Sequence, residues 1–205
     1  HRSQEKAIRR NALTNKLYLK EEQLCTLFEL PSDIDLVLIK IPKSLELFEL
    51  YLKQVCDNID ENSQVVCGFM TRNFSPNDNI PGDNVVEYYR RRAQGGVGLI
   101  VTEGTCVDHL GASGYPGVPY FYGEKRLAGW KKVVDAVHAE GGKIAPQLWH
   151  VGAVRKSGTM PEGDVPGYGP SGMNVPGKVN RHVMTQDDID DVVRAFAQAA
   201  ADAKS

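Results

Sequence analysis

Two strand ends carry residues whose types could do chemistry. "QLWH" at 147–150 places an amide, an indole and an imidazole in succession at the end of an apolar run. The amide of Gln147 can both donate and accept a hydrogen bond. Gly104 closes "VGLIVTEG" (97–104), and a glycine at a strand end permits close approach to the backbone. Each has a plainer reading: a lone strand Gln is usually a structural hydrogen-bonder, and a lone Trp such as Trp149 usually belongs to the core. His150 is expected to pack or hydrogen-bond near the strand end. His138 sits on a helix at the surface or in the second layer, and His109 and His182 fall in loops. None has a partner at a spacing that suggests a catalytic pair. The four cysteines form no CxxC pair and have no His cluster beside them, so neither a metal site nor a disulfide framework is expected.

These residues need elements to hold them. "IDLVLIKIP" (34–42) is near-continuously apolar, as in a strand buried on both faces. A helix follows with Leu45, Phe48, Leu52 and Val55 at helical spacing and Ser44 as N-cap. "SQVVCGFM" (63–70) is the next strand. The pattern repeats: helix 82–96 with Asp83 near its start and Gly95-Gly96 as its stop, then strand 97–104. Helix 123–142 has Leu127, Trp130, Val134 and Val137 on one stripe and ends at Gly141-Gly142, and strand 143–150 follows. The last helix, 185–205, opens on a Thr185/Asp188 capping box and buries Ile189, Val192, Val193, Phe196 and Ala200. Such alternation predicts an α/β fold with about four parallel strands and helical crossovers. The connections 104–123 and 151–184 are long and rich in Gly and Pro. Both follow strands, where loops usually carry function.

Composition removes other classes. The chain has 205 residues, 41% hydrophobic and 24% charged, which suits a globular protein and not a disordered one. A formal net charge of -2 marks neither a nucleic-acid nor a membrane-surface binder. No apolar run has transmembrane length, and no signal peptide is evident. Cys56 and Cys67 lie in apolar runs, as buried thiols do, so a reduced, cytoplasmic protein is expected.

From Met70 onward, "MTRNFSPN" (70–77), "EYYRRRAQGGVGLIVTEGT" (87–105), "YPGVP" (115–119), "LAGWKKVVDAVHAEGGKIAPQLWHVGAV" (127–154) and "MTQDDIDDVVRAFAQAAADA" (184–203) resemble the Old Yellow Enzyme family of FMN-dependent ene-reductases. The resemblance implies a (β/α)8 barrel, of which residues 77–205 are the N-terminal portion. A small open doubly wound sheet is the alternative. It implies hydride transfer from NAD(P)H through FMN to an enone-type alkene. Thr71 and Gly104 fill positions where backbone approaches the flavin. Gln147 fills the position that meets its pyrimidine edge, and Trp149 lines the substrate cavity. The chain ends after the helix of the third βα unit of such a barrel. The family's substrate-binding pair, proton-donating Tyr, flavin-side Arg and phosphate loops all come later, so no catalytic residue is intact and an inactive chain is expected. Phe69, where the family has Pro, would crowd the flavin face. Exposed sheet edges invite homo-oligomers.

Residues 1–76 are different. They lack the family's usual lead, and "DLVLIKIPKSLELFELYLKQVCDNIDENSQVVCGFMTRNFSP", with Pro42-Lys43-Ser44, resembles the N-terminal α/β domain of bacterial ribosomal RNA guanine-N2 methyltransferases. A chimera joined near 70–76 is expected, with a non-enzymatic α/β module or an RNA-methyltransferase-derived fragment as alternatives to the oxidoreductase reading.

Overall fold

The branched aliphatic runs do become strands. The computed structural model describes Leu30 and residues 34–41, 45–60, 62–75, 78–156, 158–159 and 163–204. Strands β1 (Leu36–Lys40), β2 (Gln64–Gly68), β3 (Leu99–Cys106) and β4 (Lys143–Trp149) form one four-stranded sheet in chain order. The strands are parallel and alternate with helices α1 (Leu45–Cys56), α2 (Asp83–Gln94), α3 (Glu124–Ala139) and α4 (Gln186–Asp202). The strand order never reverses. A doubly wound sheet needs a reversal, so the barrel-type winding holds and the doubly wound alternative is set aside.

The chain divides into two compact units. One contains α1 and the first residues of β1. The other contains Leu38–Ile41 and everything from Val65 on. In the first unit, Phe48 and Val55 of α1 are buried, as their spacing predicts, while Cys56 is exposed. The expected burial of Cys56 is thus corrected: it sits about 100° around the helix from buried Val55. The Ser44 N-cap and the Pro42-Lys43-Ser44 motif lie outside the described residues.

In the second unit, β1 is the end strand. Ile39 and Ile41 are buried, but Leu38 is 72% exposed. The expectation of a strand buried on both faces is corrected to one buried face, since apolarity by itself does not reveal which face is covered. Helices α2 and α3 stop where the glycine pairs predicted, by one mechanism. Gly96 (φ 87°) and Gly141 (φ 79°) take the left-handed conformation. Val97 N–H then reaches Arg92 O (3.2 Å) and Gly142 N–H reaches Val137 O (3.1 Å), satisfying carbonyls the helix leaves open. Trp130 and Val137 of the predicted α3 stripe are buried, joined by Gly129 and Val133, whereas Leu127 and Val134 are half-buried.

Helix α4 begins with the predicted capping box of Thr185 and Asp188. Its buried face is rotated from the expectation: Ala195 and Ala199 are buried, Ala200 is exposed and Val193 is 60% exposed. The small alanines make the close contact, and large side chains at the flank stay partly in solvent. The connection 151–184 is not structureless. Among its described residues it holds a 3₁₀ turn (Gly152–Val154), a parallel pair β5 (Tyr168–Gly169) and β8 (His182–Val183), and an antiparallel hairpin of β6 (Met173–Val175) and β7 (Lys178–Val179) turning at Pro176-Gly177. No described helix is long and apolar enough to cross a membrane.

Candidate functional site

The carboxyl ends of β2, β3 and β4 bring the predicted residues onto neighbouring strands. Gly104 and Gln147 are register partners, and two positions on Cys106 pairs with Trp149. The register slips between Val101 and Gly104: three steps along β3 match two along β4. This is a β-bulge at Thr102–Glu103, which bends the strand and re-aims its side chains. Thr102 compensates for the interrupted ladder. Its hydroxyl accepts from Gln147 N–H (3.0 Å) and donates to Glu103 O (2.7 Å).

Gln147 is exposed, and no described residue hydrogen-bonds its side-chain amide. Gly104 is buried for a reason the sequence did not reveal. A Cβ there would stand 2.6 Å from Cε3 of Trp149, so the missing side chain makes room for the indole. Trp149 in turn stacks on Tyr115 from the loop after β3 (centroids 5.6 Å, interplanar 17°). Together they form a half-open aromatic shelf beside the Gln147 amide.

Thr71 is half-buried in the turn after β2. The turn is fixed from two sides. Glu103, 1% exposed, accepts the Arg72 N–H (2.7 Å), and Ser75 N–H donates to Gly117 O (2.9 Å) of the long β3–α3 loop. Burial pushes the Glu103 carboxyl up to about 7, against the pull of the Arg72 N–H and the Arg72 charge. The Arg72 guanidinium lies over the Tyr88 ring (4.1 Å) and donates to its hydroxyl, with Arg92 also over that ring (3.3 Å). Phe69 does not behave as expected. Its ring is buried edge-on to Tyr88 and Tyr89 of α2, where it completes an aromatic cluster.

The histidines form the contacts that sequence spacing hid. His150 Nε2 and His109 Nδ1 are 2.9 Å apart. Gly152 N–H donates to His150 Nδ1 (2.9 Å) and Gly111 N–H donates to His109 Nδ1 (3.1 Å). Both δ nitrogens must therefore be bare, so each neutral ring carries its proton on Nε2 and His150 is the donor to His109. The cluster continues through Tyr168, edge-on to His109, to His182, whose ring bonds Asp188 (2.8 Å). His109 and His182 are thus not isolated loop residues. Their partners lie 41 and 6 positions away, and only the fold brings the first pair together. His138 is exposed.

Burial, then the nearby His109 and Arg155 charges, pushes His150 down to about 4. Burial also lowers His109, opposed by Asp191, Asp188 and Asp108. The unfolded chain binds these protons more readily than the folded one. Their stabilising contribution is complete above pH ~6.5 and is lost as pH falls toward 4. We expect the thermal midpoint to drop between pH 7 and pH 5, and to drop less in His150→Asn, whose amide oxygen can still accept from Gly152. Equal drops in both proteins would exclude this pair as the cause.

No group of three or more His, Cys, Asp or Glu among the described residues could hold a metal ion. The chemistry gathered here is an open amide, an aromatic shelf and a hydroxyl-bearing turn at the carboxyl ends of parallel strands. In α/β barrels this is the face on which ligand sites are built. The chain belongs to the NADH:flavin oxidoreductase / NADH oxidase family, whose model matches residues 58–205. It is 44% identical over 105 residues to 12-oxophytodienoate reductase 7 of Oryza sativa subsp. japonica, a match covering 51% of this chain and 26% of that protein. Among solved structures, morphinone reductase in complex with tetrahydroNAD matches with a TM-score of 0.61 and 35% identity, over 70% of this chain and 42% of that one. Old Yellow Enzyme from Pichia sp. AKU4542 matches with a TM-score of 0.63 and 26% identity, over 71% and 40%. The chain thus spans about a quarter of that curated relative and about two fifths of the solved chains. Residues 1–79 match a second model, the RLMG N-terminal domain. The two matches share 58–79, the stretch that holds β2 and Thr71, which supports a junction of two ancestries there.

Proposed function

We propose that the ends of β2, β3 and β4 hold FMN for NAD(P)H-dependent reduction of enone-type alkenes. The observation that carries this reading is the exposed Gln147, its amide without a hydrogen-bond partner among the described residues, in register with Gly104 and two positions from the Trp149 that stacks on Tyr115. An amide both donates and accepts, as the polar edge of a flavin requires. Thr71 would add a hydroxyl at the turn after β2. Gly104 keeps the strand end slim, and Trp149 with Tyr115 would wall the substrate side and exclude water. When bound, FMN would supply the redox chemistry, hydride transfer between the nicotinamide and the alkene. The residues of this chain bind, orient and shield.

These three strand ends supply only one side of a cofactor site. Expressed alone, the 205 residues are expected to bind FMN without reducing an enone. The site would work in the cytoplasm, where thiols such as exposed Cys56 stay reduced. The bare face of β1, with Leu38 exposed at the end of the sheet, favours pairing with a second copy.

Titration with FMN, followed by flavin fluorescence quenching, tests the reading, with size-exclusion chromatography of the same samples reporting the second copy. We expect saturable binding and about tenfold weaker binding by Gln147→Leu, equivalent to about 1.4 kcal/mol for the lost amide. Unchanged affinity in Gln147→Leu would remove Gln147 from the site. Absence of binding by the unaltered chain would reduce the flavin reading to ancestry.

A further inference from the structure

Glu103 is a buried carboxyl that the proposed chemistry does not use. We propose that it is a positioning residue, whose buried carboxyl oxygen fixes the turn presenting Thr71 while its main chain delivers Gly104 to the β4 register. The inference deepens the FMN reading above and rests on it for the ligand.

The geometry begins at the bulge. Without the extra residue at Thr102–Glu103, strict alternation would break the present match between Gly104 and Gln147. With it, Glu103 turns its side chain toward the end of β2, and its Oε2 accepts the Arg72 N–H at 2.7 Å. Asn73 has a left-handed backbone (φ 58°), a conformation Asn tolerates. The Asn73 N–H lies near enough to pull the titration of the same carboxyl down. The backbone N–H of the turn thus finds its acceptor in a buried side chain 31 positions away. The main chain of Glu103 is held as well, because its N–H donates to the Tyr89 hydroxyl (2.9 Å). One residue therefore couples the Thr71 turn, helix α2 and the strand position of Gly104.

The titratable and charged groups facing Glu103 are Arg72 from the turn and Tyr88 and Tyr89 from α2, with Arg92 behind Tyr88. Burial outweighs the cation and the N–H groups and holds the carboxyl near neutrality. Its folded value lies above its unfolded one. Glu103 therefore favours the fold below the unfolded value of 4.5, and that contribution is lost as pH rises through about 7. This is opposite in sign to the histidine pair, so the two can be separated. A Gln side chain keeps an acceptor oxygen for the Arg72 N–H and removes the titration. A Leu side chain keeps the volume and removes the grip.

The test uses the full chain with Glu103→Gln and Glu103→Leu. Three quantities are read: FMN affinity, hydrogen exchange of the Arg72 and Asn73 amides, and the pH profile of the thermal midpoint from 4.5 to 8. We expect Glu103→Gln to bind FMN within about threefold of the unaltered chain, to keep amide protection and to lose the downward slope near pH 7. We expect Glu103→Leu to bind at least about tenfold more weakly and to lose protection at Arg72, whose N–H it no longer accepts. Full protection and affinity in Glu103→Leu would overturn the proposal. Should Glu103→Leu not fold, an unaltered slope in Glu103→Gln overturns it and a flattened one upholds it. Should the unaltered chain bind no FMN while protection follows the Gln and Leu pattern, the grip on the turn stands and the flavin reading falls.

Discussion

Arg155→Met is expected to lower the unfolding free energy by about 3 kcal/mol or more, read from denaturant midpoints. Arg155 is fully buried. Its guanidinium donates to Val165 O (3.1 Å), to Thr159 O (2.9 Å) and to Ser113 O. Ser113 belongs to the loop after β3, whereas Thr159 and Val165 belong to the connection after β4. A single side chain thus ties two long loops together from the inside. Methionine fills much of the volume but donates nothing, leaving three carbonyls without their donor. Leaving a buried polar group unsatisfied costs about 1–3 kcal/mol, and water can relieve part of the sum. A loss below about 1 kcal/mol would show that these loops hold together without the guanidinium.

The second large effect is expected at Gly104. Adding one methyl group in Gly104→Ala should destabilise the chain by about 1–3 kcal/mol, the usual range for overpacking. Its new Cβ would meet three indole atoms of Trp149 at 2.6, 2.8 and 3.2 Å. The indole is a rigid plane already stacked on Tyr115, so it has to swing as a unit. The check is a double-mutant cycle with Trp149→Ala. In that background the alanine at 104 should cost almost nothing, because the opposing ring is gone. An unchanged penalty would mean that Gly104 is required for its backbone and not for the indole.

The fold was legible wherever local chemistry decided it. Apolar runs set β2, β3 and β4. Glycine pairs ended α2 and α3, and Thr185 with Asp188 opened α4. The candidate site was legible only through resemblance, because Thr71, Gly104 and Gln147 are ordinary residues until three strands align their neighbourhood. Three features had no local signature. The bulge at Thr102–Glu103 is a mismatch between two strands, and neither strand alone records it. The His109–His150 pair depends on contact across 41 positions. The exposed faces of β1 and α4 depend on what covers them, which periodicity cannot report. One missed feature did leave a trace: Pro176-Gly177 is a turn signal, and it marks the hairpin inside the long connection.

The path from β3 to β4 also bears on how fast this sheet can assemble. Thr105 and Gln147 are 42 positions apart, so a long loop must close before the ladder between them stabilises anything. Helix α3 shortens that search. Its 16 residues span about 24 Å, close to the roughly 23 Å length of the 7-residue β4. Once α3 has formed, it carries the chain back from the end of β3 to the start of β4. The left-handed Gly141 then turns the chain directly into the strand. The crossover therefore acts as a preset ruler, exchanging a diffusive closure over 42 positions for the docking of one rigid helix.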